Sequence, residues 1–112
     1  MSEKAEILAR SVAAHAGVDR GMELALALGL KGGQYAASKA LAIKIAGDDR
    51  WVNQRSPHGL MVDCLYLCAK RVGIKTSAIK VRELTLKIFG VGCQPRPNTW
   101  KKQFGDLLEV WL

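Results

Sequence analysis

Residues 56–71 read SPHGLMVDCLYLCAKR. Serine followed by proline is a helix start: the serine caps free N–H groups, and proline suits the first helical position. Ten of the next positions are apolar or small, and Lys70-Arg71 close the run where cations complement the helix dipole. Leu60, Met61, Val62, Cys64, Leu65, Leu67 and Cys68 fall on nearly every side of such a helix. A helix apolar around most of its circumference belongs inside other helices. The stretch 57–71 is therefore expected to be the central helix of an all-α protein.

On either side of it the chain reads as further helices separated by glycine or proline. Ser2 caps a first helix with Glu3 and Glu6 in its first turn and Ala5, Ile7, Leu8, Val12 and Ala16 on its apolar side; Gly17 ends it. Asp19 is read as the cap of a second helix, Arg20 to Leu28, stopped by Gly29, with Lys31-Gly32-Gly33 as a turn. QYAASKALAIKIA, residues 34–46, is a third helix, and 48–56 a polar loop anchored by Trp51. Thr76 or Ser77 caps a fifth helix that reaches Phe89 and stops at Gly90. Its apolar positions are Ile79, Val81, Leu84, Ile88 and Phe89. GVGCQPRP, residues 90–97, is a loop stiffened by two prolines. Asn98 or Thr99 then caps a sixth helix, on which Trp100, Phe104, Leu107, Leu108 and Trp111 make an amphipathic stripe. The expectation is one compact all-α domain over 1–112, of five to six helices, with no extended strand.

Composition supports this reading. At 112 residues and 49% hydrophobic, the chain is long and apolar enough for a core, which argues against disorder. Aromatics are only 6%, so that core is aliphatic and suits close helix packing. No run approaches the roughly 18–20 apolar residues of a membrane span, and no leader pattern follows Met1. The three cysteines have no spacing typical of a secreted disulfide framework. The sequence thus points to a cytoplasmic protein with no membrane partner.

Charge supplies the functional clue. Nine bases lie between Lys70 and Lys102 against one acid, Glu83. Residues 1–69 are nearly balanced, and the last ten carry two acids, so the net charge of +7 is a local property. Clustered Lys and Arg attract polyanions, most often nucleic acid. Arg96, Lys101 and Lys102 would stand at the start of the sixth helix, where the unpaired N–H groups are already positive. A docked phosphate would relieve that conflict.

TSAIKVRELTLKIFG (76–90) followed by PNTWKKQFGDLLEVW (97–111) has the order of a helix-turn-helix unit. It resembles the DNA-binding regulators of phages and plasmids, and it is similar to the C-terminal part of phage antitermination proteins, where a helix, a loop and a Thr-Trp-initiated helix occur. It departs from the usual motif in its connection, which is eight residues rather than three or four. The resemblance implies that the start of the last helix meets DNA. Asn98, Thr99, Lys101, Lys102 and Gln103 would approach the major groove, where Asn and Gln pair with adenine and Lys with guanine or phosphate. Lys80 and Lys87 would assist from the preceding helix. A second stretch of similar order, ELALALGLKGGQYAASKALAIKI (23–45), places Tyr35 and Ser38 where a recognition helix wants apolar contacts, and it reads as core.

Other constellations read as structural. Cys64 and Cys68 sit among leucines and behave as small hydrophobes rather than zinc ligands with Cys93 and His58. His15 and His58 have no catalytic neighbours, Asp48-Asp49 suits a turn, and Gly32-Gly33 has no P-loop context. No catalytic set, metal or cofactor is expected. The sequence therefore favours a small DNA-binding protein, a transcription regulator or transcription-linked factor, with duplex DNA and possible contact to the transcription machinery as partners. A protein-binding adaptor or inhibitor is the alternative, acting through the basic face or through the C-terminal aromatic helix, with Trp111 and Leu112 at its apolar tip. RNA binding is disfavoured, because only Trp51 and Tyr35 lie off the apolar stripes and are left to stack on bases.

Overall fold

In the computed structural model, residues 18–51 and 55–111 are described, with side chains from residue 21 onward. The helix expected at residues 2–17, with His15, and positions 52–54 of the polar loop lie outside these. Among the described residues there are five α-helices and one 3₁₀ turn and no strand: α1 (Val18–Leu28), α2 (Gly32–Ala46), α3 (Pro57–Arg71), α4 (Ala78–Phe89), the 3₁₀ turn (Pro97–Thr99) and α5 (Gly105–Glu109).

Helix α3 begins and ends where the sequence places it. Ser56 Oγ accepts from the Gly59 N–H at 3.0 Å, and Pro57 takes the first position. Leu60 through Leu65 and Leu67 through Ala69 are buried, so α3 is the core helix that its all-round apolarity predicts. Helix α2 packs along it, and α1 touches α2, α3 and α4. Helices α1 and α3 end alike. Gly29 (φ 93°) and Gly73 (φ 85°) adopt the left-handed conformation, and the following Leu30 and Ile74 N–H groups reach back to Ala25 and Ala69 at 2.9 Å. Glycine takes that geometry without the Cβ penalty, and Leu30 then turns inward against the core.

Three boundaries differ from expectation. Helix α1 is already helical at Val18, where the described residues begin, so Asp19 lies within it instead of at the cap. Helix α2 starts at Gly32 and absorbs the expected Gly32-Gly33 turn, because Gln34 Oε1 accepts from the Lys31 N–H at 2.8 Å and completes the earlier start. In α4, Ser77 is the cap and Val81 and Thr85 are buried, but Ile79 is 65% exposed. The helix rests its Val81–Thr85 edge on the body and turns Ile79 and Leu86 to solvent.

The largest departure is at the C-terminus. No helix runs from Asn98 to Trp111. Residues 97–99 make a 3₁₀ turn, 100–104 a series of turns, and only Gly105–Glu109 is α-helical. The stripe nevertheless buries as expected: Trp100, Phe104, Leu108 and Trp111 are all in the core, with Leu107 packed beside them. Local hydrogen bonds at helical spacing survive in pieces, from Lys101 N–H to the Pro97 carbonyl and from Phe104 N–H to the Trp100 carbonyl. The continuous ladder fails because distant groups claim its atoms. The Gln103 carbonyl accepts from Arg50 Nη1 at 3.1 Å, and Leu107 N–H bonds Phe104 three residues back. The Trp100 indole is drawn to Asp63. A recognition helix of the helix-turn-helix kind is thus not formed by 97–111.

Candidate nucleic-acid interface

The local organiser of the basic region is a residue that the sequence reading passed over, Asp63. It lies on the central helix with no exposed surface, in the middle of GLMVDCLYLC. A buried carboxylate has to be neutralised and fully hydrogen-bonded. Its two oxygens accept from Arg55 Nε and Nη2 at 3.0 Å each, from the Arg96 backbone N–H at 2.8 Å, and from the Trp100 indole N–H at 2.8 Å. The clue was present: an acid inside an apolar helical run needs a cation, and Arg55 stands just upstream.

Gly59 makes the Arg55 approach feasible. A Cβ there would come within 2.9 Å of the Arg55 guanidinium carbon, which passes over the first turn of α3 to reach Asp63. Burial opposes the charge on Arg55, but the Asp63 carboxylate outweighs it and holds the guanidinium pKa above its ordinary value. Arg55 Nη2 also donates to the Gln94 carbonyl, and the Cys93 N–H to Thr85 Oγ1 at 2.7 Å. Between them these bonds fix the 93–100 loop onto α3 and α4.

A second clamp holds the following turns. Arg50 binds Asp48 and Asp106 through paired contacts of 2.9–3.2 Å, and its guanidinium lies 4.6 Å from the centre of the Phe104 ring. Hydrogen bonds from Arg50 are the main cause that holds both carboxyls below the usual Asp range. A depressed folded pKa means that the clamp is fully formed above the unfolded pKa and is lost as pH falls through the folded one. We predict that carboxyl NMR titrations give low midpoints for Asp48 and Asp106, and that Arg50→Ala returns both toward ordinary values.

Beside the loop fixed by Asp63 lies a groove of two adjoining chambers. One, of about 820 Å³, runs between the end of α3 and the last turns and includes Lys70, Arg71, Asn98, Lys101, Lys102 and Trp111. The other, of about 600 Å³, continues past Tyr66, Arg96, Pro97 and Thr99. Lys70, Arg96, Lys101 and Lys102 are exposed. The ion pairs of the described residues are made elsewhere, by Arg50 and Arg55, and none by these four cations. Arg71 is partly committed: it donates to the Leu108 carbonyl and covers Trp111 at 5.5 Å. One acid, Glu109, lines the larger chamber.

Of the residues that the sequence nominated, Arg96, Asn98, Thr99, Lys101 and Lys102 line this groove. Thr99 Oγ1 donates to the Arg96 carbonyl at 2.8 Å. Gln103 lies outside the lining, its side chain donating to the Arg50 carbonyl at 3.3 Å. Lys80 and Lys87 are exposed on α4 but do not line it. Lys70, counted in the basic cluster but not among the nominated contact residues, joins from α3. The expected conflict of Lys101 and Lys102 with a helix N-terminus does not arise, because both precede α5, whose first turn carries Asp106. With it goes the helix-terminus phosphate site.

Trp111 of the expected C-terminal tip is buried and its indole donates to the Ala37 carbonyl at 3.1 Å, while Leu112 lies outside the described residues. Trp51 and Tyr35 are buried too, so neither is a stacking platform. Cys64 and Cys68 are core thiols, and burial pushes the Cys64 pKa well up. Cys93 is half-buried, and burial raises its pKa despite the nearby Arg55. His58 packs edge-on against Phe89, ring centres 4.8 Å apart. No family model, no curated protein and no solved structure matches this chain.

Proposed function

We propose that this chain is a small DNA-binding protein, a transcription regulator or transcription-linked factor, that holds duplex DNA by its phosphate backbone. The observation that carries the reading is the convergence of Lys70, Arg96, Lys101 and Lys102 on one groove without a carboxylate partner among the described ion pairs. Exposed cations left unpaired while acids are spent on Arg50 and Arg55 are available to an external anion, and a row of them suits a polyanion. The irregular 97–104 segment changes how contact is made: phosphate gripping takes the place of a helix laid into the major groove. Asn98 is the nominated residue best placed to reach beyond the backbone, being exposed at the junction of the two chambers.

The test is fluorescence anisotropy with duplex DNA across a salt series. Each phosphate neutralised contributes about −0.9 to the log–log slope. Lys101→Ala and Lys102→Ala are each expected to weaken binding to all sequences and to flatten the slope by about one unit. An unchanged slope in either variant removes that lysine from the interface.

A second reading has its own observation. Ile79 and Leu86 are 65% and 56% exposed on the outer face of α4, a place where an adaptor would meet a protein partner.

A further inference from the structure

Phosphate gripping accounts for the exposed cations of the groove and leaves the apolar part of its larger chamber unexplained. Leu67, Leu108 and Trp111 line the same space of about 820 Å³ as Lys70, Arg71, Lys101 and Lys102, and most of the lining surface is apolar. A backbone phosphate makes no use of an apolar lining. A recess of about 300–1,000 Å³ that is largely apolar and carries a few fixed polar groups is the usual form of a small-molecule pocket.

Arg71 is the fixed polar group. It closes α3 and is held at two points: Nη1 donates to the Leu108 carbonyl, and the guanidinium lies 5.5 Å from the centre of the Trp111 ring. Trp111 is held in turn by its bond to the Ala37 carbonyl on α2. Arg71 Nε and Nη2 have no protein acceptor among the described residues. A guanidinium already held in place, with donors left over, binds a carboxylate with little further loss of freedom. Glu109 is the one acid of the lining, and four bases against it keep the chamber selective for anions.

We infer that the larger chamber binds a small-molecule carboxylate with an apolar ring, the carboxylate on Arg71 and the ring against the lining of Leu67, Leu108 and Trp111. Lys101 and Lys102 belong both to this chamber and to the proposed DNA interface, so the small molecule and DNA compete, and the small molecule regulates DNA binding. The competition rests on the DNA-binding reading above; the ligand site does not.

The probe is 1-naphthoate, which has this chemistry; 1-naphthylmethanol lacks the charge and acetate lacks the ring. Binding to the full chain is read by NMR from the Trp111 indole and the Leu108 amide, with a thermal melt of every variant. The expected result is a saturable shift with 1-naphthoate, affinities at least about ten-fold weaker for the other two, and a loss of about ten-fold or more in Arg71→Gln. Arg71→Lys keeps the charge without the planar fork and is expected to recover only part of the affinity. Where Arg71→Gln melts well below wild type, Lys102→Gln is the second variant, exposed and expected to fold normally while binding the probe several-fold more weakly. In the same concentration range 1-naphthoate is expected to displace a labelled DNA duplex. The absence of a saturable shift, or equal affinity for 1-naphthylmethanol or acetate, overturns the ligand site. Wild-type affinity in Arg71→Gln overturns Arg71 as its anchor. Binding of 1-naphthoate that leaves bound DNA in place overturns the competition alone. A wild-type protein that binds 1-naphthoate and ignores DNA at every salt concentration overturns the DNA-binding reading and leaves the ligand site standing.

Discussion

Asp63→Ala is expected to destabilise the protein by about 3–5 kcal/mol, the usual consequence of removing one partner from a buried ion pair. The loss is large because one carboxylate serves three separate donors. Without it, Arg55 keeps a mostly buried guanidinium with only the Gln94 carbonyl and a long contact to Cys93 as remaining acceptors, and the Arg96 N–H and Trp100 indole lose theirs. Melting should fall by on the order of 10–20 °C. Removing both charges is gentler than removing one, so Arg55→Ala combined with Asp63→Ala should cost less than the sum of the two. A melting curve within about 1 °C of wild type for Asp63→Ala would show that the hub is not what fixes the 93–100 loop.

Leu65→Ala should cost roughly 2–5 kcal/mol by urea or thermal unfolding, as truncation of a buried leucine does. Leu65 has no exposed surface, and it sits on α3, the helix about which α1, α2 and the 97–99 turn are packed. The spread reflects how far neighbours relax into the cavity. A change below about half a kcal/mol would place α3 at the periphery, against its burial pattern.

These two residues also mark how far the sequence was legible. Leu65 was readable because everything that decides it is local: Ser56-Pro57 start the helix, Gly73 stops the chain after it, and the apolar run between them has no solvent face. The same local rules placed α4 from Ser77 to Gly90. The 97–111 segment was misread as one helix for the opposite reason. Its spacing of Trp100, Phe104, Leu108 and Trp111 is helical, and all four do face the core. The Gln103 carbonyl, which a continuous helix would pair with the Leu107 N–H, is taken by Arg50, 53 residues away along the chain. Periodicity reports which side chains are buried and is silent on which carbonyl a distant arginine will take.

The groove divides in the same way. Lys101 and Lys102 were visible as basic residues beside Arg96, because charge clustering is a property of the chain. That Lys70 meets them was not visible, since it depends on the 93–100 loop being pinned to α3 through Asp63. Gln103 was nominated on the assumption of a helix, and the turns that replace the helix carry its side chain to the Arg50 carbonyl.

Asp63 pins the 93–100 loop and the loop brings exposed cations beside α3; in the proposed function these cations hold DNA. The most direct measurement is a duplex-DNA titration of the Lys101→Ala, Lys102→Ala double variant across salt, with its melting curve recorded in the same buffers. Both lysines are exposed, so the predicted result is a melt like that of wild type, weaker binding to every sequence, and a log–log slope flatter by about two units if each meets its own phosphate. A double variant that melts like wild type and binds DNA with the wild-type affinity and slope would contradict the account.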